Sequence, residues 1–356
     1  MTTAISWLTV VPMRGAKTFD RITGRRAMAA APIAGLIPGA VAVLVTICVS
    51  GAAWLLAASA HQTGGARAWF GGLSGTGAPD SAAFGSASGS GADPVGVNPA
   101  GADSAAVGLA GVVAGVGPAA DPAGAVGLGG SWEAAAVAAA TSPLLAAVIG
   151  VLIVCAAELV TRAMHVDGLA DVADALGSYR DPEGAREILR APDTGPMGAA
   201  AVSLTLLAQA AAMAMLAHGA ATAMFPAPWI LGAEFDGVRV TASLLVLALP
   251  FIIGRAAATT ACHHSLPPMA PTGFGGLVAA TQPTWALVAW WVPLTAVAGI
   301  AAGVAGALAC LAALVFALGF GRLLVRRLGG INGDALGAII QLATLIAAIA
   351  LALAIG

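Results

Sequence analysis

The feature that most constrains this chain is a series of apolar runs, each about twenty residues long and nearly free of charge. A helix of that length matches the hydrocarbon core of a bilayer, which is about 30 Å thick. The runs are rich in Ala, Leu, Val and Ile and lack the alternating pattern of membrane β-strands. Hydrophobic residues fill 59% of the 356 positions and charged residues only 9%, so a soluble bundle, which needs polar helix faces, is excluded. The sequence predicts an all-α, polytopic membrane protein.

Seven transmembrane helices are predicted, at about 29–59, 134–160, 197–218, 241–261, 284–302, 304–321 and 336–355. Between the first two lies a stretch at about 60–133 that is rich in Gly, Ala, Ser and Pro. This composition cannot bury enough apolar surface to offset the entropy of ordering. We therefore predict a single membrane domain over 1–356 that contains a disordered, low-complexity insert.

The distribution of basic residues predicts the orientation of the helices. With a cytoplasmic N-terminus and seven crossings, all but two of the fifteen Lys and Arg residues lie on the cytoplasmic side, as the positive-inside rule requires. Only Arg67 and Arg239 fall outside. The segments with unusual polar content lie on this same cytoplasmic face: 162–195, 255–275 and 322–334.

One of these segments, "HVDGLADVADAL" (165–176), carries three aspartates. Asp167, Asp171 and Asp174 are spaced i, i+4, i+7 and share one face of a helix. Carboxylates at that spacing repel one another unless a cation joins them, and Mg²⁺ binds through one or two carboxylates together with substrate phosphates. Gly168 and Ala170 beside them would leave room for a bulky ligand. A solvated helix at the membrane surface, with capping aspartates, is the alternative.

Further polar residues lie close to these acids in the predicted topology. Arg162 precedes the acids and Arg190 follows them, and guanidinium groups bind phosphate with two parallel hydrogen bonds. Acids and arginines together favour metal-dependent phosphoryl transfer, although anchoring at the cytoplasmic surface is the alternative for the arginines. Asn332 and Asp334 either cap the last helix or reach the same site. Glu158 is costly in lipid and is expected to face the bundle interior.

The segment "TRAMHVDGLADVADALGS" (161–178) closely resembles the signature of the cobalamin synthase family, the adenosylcobinamide-GDP ribazoletransferases. Three more segments resemble that family in the expected order: "REILRAPDTGPMGAAA", "GRAAATTACHHSLPPMAPTGFGG" and "GGINGDALGAIIQL". The N-terminal "ISWLTVVPM" and "APIAGLIPG" are similar to it as well. The resemblance covers most of the chain outside the 60–133 insert and a shorter one near 219–240.

The resemblance implies an integral membrane enzyme of corrinoid assembly, here in the bacterial cytoplasmic membrane with its active site facing the cytoplasm. Such enzymes join the adenosylcobinamide part of adenosylcobinamide-GDP to α-ribazole or its 5′-phosphate, release GMP and require Mg²⁺. The implied partners are these small molecules and membrane lipid. No nucleic acid is expected, and a homo-oligomer is compatible with the sequence.

The resemblance also implies roles for the acids and for their histidine neighbour. Asp167, Asp171 and Asp174 would hold one or two Mg²⁺ ions against the diphosphate. His165 would accept the proton of the attacking hydroxyl, because its unperturbed pKa lies near the operating pH. Asp174 is a rival for that role, and a structural hydrogen-bonding role is the alternative for His165.

The remaining implied roles concern substrate binding. Arg162 and Arg190 would clamp phosphate oxygens, and Asn332, Asp334 and Arg255 would complete the polar pocket. Gln341 departs from the family pattern, since many relatives carry an acid there. That amide weakens the expectation of a second acidic ligand from the last helix.

Two other classes of protein compete with this interpretation. A CDP-alcohol phosphotransferase would carry an alanine–arginine pair after the first Asp-Gly, where this chain has Leu169–Ala170. It would also carry an acid four residues after the third aspartate, where Ser178 stands. An ion-coupled transporter would place its acids near the membrane midplane, often beside broken helices, rather than at one surface.

Overall fold

The computed structural model describes residues 2–10, 20–62, 131–225 and 236–355. These residues form helices joined by turns, with no β-strand among them. The all-α class predicted from the sequence is confirmed. In chain order the helices are α1 (Thr2–Leu8), α2 (Arg21–Ala29), α3 (Ala31–Ala34), α4 (Leu36–Gln62), α5 (Ser131–Ala140), α6 (Pro143–Thr161), α7 (Met164–Gly177), α8 (Pro182–Ile188), α9 (Pro196–Met224), α10 (Gly237–Ala261), α11 (Gly273–Val278), α12 (Thr284–Leu328) and α13 (Gly333–Ile355).

Nearly all of the predicted disordered insert at 60–133 lies outside the described residues. The predicted helix at 134–160 is divided, since α5 and α6 are separated by Thr141 and Ser142. Pro143, which occupies the first turn of α6, lacks the N–H that would continue the hydrogen bonds of α5.

Among the described residues, six helical stretches are long and apolar enough to cross a membrane. One of them, α12, has 45 residues, about twice what a bilayer core requires. Its geometry breaks at Ala302 and Gly303, and Gly303 has φ 62° and ψ −150°, a conformation that is essentially restricted to glycine. After this break the chain turns back on itself. The turn brings Gly306 so close to the carbonyl of Ala298 that a side chain at position 306 would collide with it. The two segments of α12 match the predicted helices 284–302 and 304–321, while the number of crossings stays a prediction.

The helix α13 forms the centre of the bundle. It packs against α7, α9, α10 and α12, and one row of its small and branched side chains is fully buried: Ala335, Ala338, Ile339, Ala343 and Ala347. A side chain at Gly254 of α10 would collide with the hydroxyl of Thr344. Between membrane helices such small residues permit the close backbone approach on which packing depends. The bundle core therefore runs along α13.

One end of the bundle gathers segments that are distant in sequence. The N–H of Val10 donates to the carbonyl of Val160 at 2.7 Å, which places the N-terminal segment beside the end of α6. The N–H of Ile331 donates to the carbonyl of Pro267 at 2.9 Å, which joins the loop after α10 to the start of α13. The predicted polar segments thus meet at this end: 162–195, 255–275 and 322–334. Which side of the membrane this end faces stays a prediction.

Candidate active site

The helix that carries the three aspartates begins at an abrupt turn. Arg162 and Ala163, between α6 and α7, have φ angles of 57° and 52°, a region that L-residues other than Asn and Asp rarely occupy. The N–H of Ala163 donates to the carbonyl of Glu158 at 2.8 Å and closes the end of α6. The turn starts a new helix at Met164, and this new direction brings α7 against α13.

Four carboxylates converge where α7 meets α13. Asp167, Asp171 and Asp174 share one face of α7, as predicted from their spacing. Gly168 packs directly on the start of α13, since a Cβ there would lie 2.8 Å from the Cα of Asp334. Burial, and then the charges of Asp334, Asp167 and Asp174, raise the pKa of Asp171 to about 6. The fourth acid that the sequence suggested therefore reaches the cluster, and Gly168 makes room for α13 rather than for a ligand.

A cavity of about 660 Å³ opens beside these acids. Asp167 and Asp334 contribute carboxylates to its wall, and His165 and Arg162 contribute nitrogen groups. The remaining wall is largely apolar and comes from segments far apart in sequence, among them Leu8, Met28, Phe274, Leu336 and Ile340. The cavity thus joins a charged wall to an apolar one, which suits a ligand that carries both phosphate and an extended organic part.

His165 lies between the acids and the bundle core. Its side chain is 3% exposed, and neither ring nitrogen has a hydrogen-bond partner among the described residues. Burial, and then the nearby Arg255 charge, hold the pKa of His165 well below its usual range. The imidazole is therefore neutral, with one nitrogen able to accept a proton. It is also a weaker base than the unperturbed side chain on which the sequence prediction relied. It lines the cavity, as a general base would require.

Asp174 has a different environment from the other acids. Its two carboxylate oxygens accept the backbone N–H groups of Gly195 and Gly198, at 2.6 and 2.8 Å. These groups lie at the start of α9, so Asp174 ties α7 to α9 and satisfies N–H groups that the helix itself leaves free. A side chain at either glycine would collide with this carboxylate. Like Asp171, Asp174 is not among the described residues that line the cavity, so the hydrogen bonds to α9 are what distinguish it from the other acids.

The three arginines predicted for the site, Arg162 and Arg190 for phosphate and Arg255 for the polar pocket, occupy three different positions. The guanidinium of Arg162 donates to the carbonyls of Ser6 and Thr9 at 3.3 and 3.2 Å and so holds the N-terminal segment over the cavity. Arg190 is exposed beyond α8 and is not among the described residues that line the cavity. Arg255 is 3% exposed within α10, where its charge acts on His165. Only Arg162 therefore meets the acids at the cavity wall.

Asn332 and Asp334 combine both roles that the sequence left open. The side-chain oxygen of Asn332 accepts the N–H of Ala335 at 2.9 Å, which caps α13. Its amide nitrogen donates to the carboxylate of Asp334 at 2.7 Å. The cap thereby fixes the orientation of Asp334 at the cavity wall.

The carboxylate cluster fits Mg²⁺ chemically, because carboxylate oxygens are hard donors and a divalent cation relieves the repulsion felt by Asp171. Within the described part of the chain, no three His, Cys, Asp or Glu side chains are grouped closely enough to hold a metal ion by themselves. Mg²⁺ sites in phosphoryl-transfer enzymes commonly use one or two carboxylates and leave the other positions to phosphate oxygens and water.

The sequence predicted only part of a polar layer that lies beneath the cavity. The amide nitrogen of Gln341 donates to Glu158 at 2.9 Å and to the side-chain oxygen of Gln209 at 3.3 Å. Gln209 in turn donates to the carbonyl of Gln341 at 3.0 Å. Glu158 faces the interior, as predicted, but Gln209 was not identified. Gln209 could have been identified from the sequence, because it is an isolated amide inside a long apolar run.

These features define a polytopic helical membrane protein with a carboxylate-lined cavity at one end of its bundle. The family model described as cobalamin-5-phosphate synthase matches residues 1–78 and 119–352, and the chain belongs to that family. The unmatched residues 79–118 fall within the predicted insert. The family membership predicted from the four motifs is confirmed.

Curated relatives extend the match to nearly the whole chain. An adenosylcobinamide-GDP ribazoletransferase of Corynebacterium efficiens is 32% identical over all of this chain and 91% of its own length. A protein of the same name from Corynebacterium diphtheriae is 30% identical over 99% of this chain and 91% of its own length. No solved structure matches the chain.

Proposed function

We propose that this chain is an adenosylcobinamide-GDP ribazoletransferase, which acts late in cobalamin biosynthesis. The observation that carries the proposal is the nearly full-length similarity to two relatives of that name. The converging carboxylates of α7 and α13 support it independently, because they supply the charge distribution that transfer from a diphosphate requires. Family membership also separates this function from the CDP-alcohol phosphotransferase and transporter alternatives.

In the proposed reaction a hydroxyl of α-ribazole, or of its 5′-phosphate, attacks the phosphorus atom that is joined to the corrinoid side chain. The bond from that phosphorus to the bridging oxygen of the diphosphate breaks, and GMP leaves with the bonding electron pair. The hydroxyl loses its proton as the new phosphodiester forms. The site must therefore bind the diphosphate, hold the hydroxyl in line, and accept one proton.

Asp167, Asp171 and Asp334 are the candidate ligands of Mg²⁺, and one or two of them would hold the ion together with phosphate oxygens and water. When bound, Mg²⁺ would neutralise charge on the diphosphate. Asn332 keeps Asp334 turned toward the cavity through its 2.7 Å hydrogen bond. Asp174 was assigned from the sequence as a ligand or base, but both of its oxygens already accept backbone N–H groups. We therefore assign it to holding α7 and α9 in register.

His165 is the residue that we assign to accept the hydroxyl proton. It lines the cavity, and its ring nitrogens have no competing partner among the described residues. Arg162 would bind a phosphate oxygen at the cavity mouth while it continues to hold the N-terminal segment. Arg190 could reach the site only if the segment after α8 changed its conformation. Arg255 would act on His165 through the charge of its buried guanidinium. The active site faces the cytoplasm of a bacterium in this proposal, because the arginines concentrate at its end of the bundle.

The proposal is tested by incubating the purified protein in detergent with adenosylcobinamide-GDP, α-ribazole and Mg²⁺, and measuring GMP and the joined corrinoid by liquid chromatography. We expect the activity to be lost with a chelator and restored by Mg²⁺. Asp171→Asn is expected to reduce the rate more than about a hundredfold, because loss of an outer partner of a metal ligand alone costs about 10–100-fold. If the wild type forms neither GMP nor the joined corrinoid, the proposed function is refuted.

The matched control is Asp181→Asn. Asp181 is an exposed aspartate that caps α8 by accepting the N–H of Gly184 at 3.0 Å, and asparagine caps equally well. The transferase rate of the Asp181→Asn variant should equal that of the wild type. An equal loss in both variants would contradict a specific role for Asp171.

A further inference from the structure

A second cavity, of about 510 Å³, lies at the end of the bundle opposite the acids. It is formed by the start of α6, the end of α9, the start of α10 and Ala352 of α13. We propose that it binds the phosphate head group of an anionic phospholipid in the outer leaflet. This inference is independent of the transferase reaction, since the two cavities share only α13, which lines them at its opposite ends.

The polar groups of this cavity face each other from two helices. His218 and Thr222 lie one turn apart on α9, and Arg239 and Ser243 lie one turn apart on α10. The two hydroxyls donate to carbonyls of their own helices, Thr222 to Gly219 and Ser243 to Arg239, both at 2.9 Å. The imidazole and the guanidinium are therefore the donors that remain for a ligand.

Both donors lack a side-chain partner within the described part of the chain. The Nδ1 atom of His218 is buried without a hydrogen bond. The Oδ1 atom of the neighbouring Asp236 accepts the backbone N–H groups of Val238 and Arg239 at 3.0 and 3.1 Å and so caps α10. Among the described residues, no hydrogen bond or ion pair joins this carboxylate to the Arg239 guanidinium. A guanidinium binds phosphate with two parallel hydrogen bonds, so the chemistry of this pair selects a phosphate anion.

The surroundings of the cavity select a lipid over a soluble phosphate. Pro143, Ala146 and Met215 give it apolar walls. Leu144, next to Pro143, is 77% exposed, and Val238, next to Arg239, is 80% exposed. Because the protein spans a membrane, these side chains lie against acyl chains and provide a surface along which a lipid tail can extend. Arg239 is also one of two basic residues that the predicted topology leaves on this side, and an anionic lipid gives it a partner.

The test is native mass spectrometry of the delipidated protein in detergent, titrated with phosphatidylglycerol or with phosphatidylethanolamine of the same acyl chains. The wild type is expected to bind one phosphatidylglycerol in preference to phosphatidylethanolamine. Arg239→Gln and His218→Gln are each expected to weaken this binding about tenfold, as loss of a hydrogen bond to a charged group predicts. Arg326→Gln, which removes an exposed arginine at the opposite end, should bind like the wild type. Thermal unfolding in detergent verifies that the variants are folded.

Three results would overturn the proposal. The first is equal binding of the two lipids, and the second is unchanged phosphatidylglycerol binding in both folded variants. The third is binding of inorganic phosphate that Arg239→Gln abolishes and that phosphatidylglycerol does not displace, which would identify the cavity as a site for a soluble anion.

Discussion

The two ends of the bundle are held together in different ways, although α13 runs from one to the other. At the acidic end, polar side chains join segments that are distant in sequence, as Arg162 joins Ser6 and Asp174 joins Gly195. At the opposite end the hydroxyls of Thr141 and Thr241 donate to carbonyls four residues earlier in their own helices. Long-range polar contacts therefore concentrate where the carboxylates and the large cavity are. The opposite end relies on helix packing.

This difference indicates where substitutions should have long-range effects. A lost hydrogen bond at the acidic end disturbs two segments at once, and one of them carries part of the site. A lost hydrogen bond at the opposite end disturbs a single turn of one helix. Matched substitutions at the two ends test this difference directly.

The largest effect is expected for Gln341→Glu. The amide of Gln341 donates to Glu158 and Gln209, so a carboxylate there would place two buried acids against each other. We expect a loss of about 3 kcal/mol of stability, within the range for a buried charge without its partner. The measurement is fluorescence-detected thermal unfolding in detergent. The matched variant at the opposite end is Thr241→Val, which removes one exposed, local hydrogen bond and should stay within about 0.5 kcal/mol of the wild type.

The exchange Glu158→Gln with Gln341→Glu sharpens this test. It restores one donor and one carboxylate to the pair and should recover most of the stability lost in Gln341→Glu. A double variant as unstable as the single one would show that the position of Glu158, rather than the donor–acceptor match, is what matters. The departure of Gln341 from an acid thus has a physical reason in this chain, because a donor is needed opposite Glu158.

A smaller effect is expected for Gly168→Ala. A Cβ at this position would lie 2.7 Å from the carbonyl oxygen of Asp334, so α7 and α13 must separate. Overpacking of this kind costs about 1–3 kcal/mol, and the shift of Asp334 should also lower the transferase rate. Gly299, near the break in α12, has open space around it, and Gly299→Ala should leave stability and rate unchanged or slightly raise stability. Equal behaviour of the two variants would refute a packing role for Gly168.

The helical class and the shared helix face of the three aspartates could be predicted because each depends on local properties of the chain. Apolar run length predicts a spanning helix, and i, i+4, i+7 spacing predicts a shared face. The partners of those side chains depend on how helices pack, which no local pattern encodes. The bonds from Asp174 to Gly195 and Gly198, the anchoring by Arg162 and the contact of Gly168 with Asp334 are of this second kind. The sequence thus predicted which side chains share a helix face, but not which partners they contact.

The smallest effect on stability is expected for Asp174→Ala, and it is the variant that separates structural from metal-binding roles. Asp174 and Asp236 each accept two backbone N–H groups at the start of a helix, but Asp236 caps its own helix whereas Asp174 reaches from α7 to α9. Loss of either cap should cost about 1 kcal/mol. Only Asp174→Ala should also lower the transferase rate, because it frees α7, while the Mg²⁺ concentration that gives half-maximal rate stays unchanged. An increase in that Mg²⁺ concentration would show that Asp174 is a metal ligand. An equal loss of rate in Asp236→Ala would show that the two ends of the bundle do not differ in this respect.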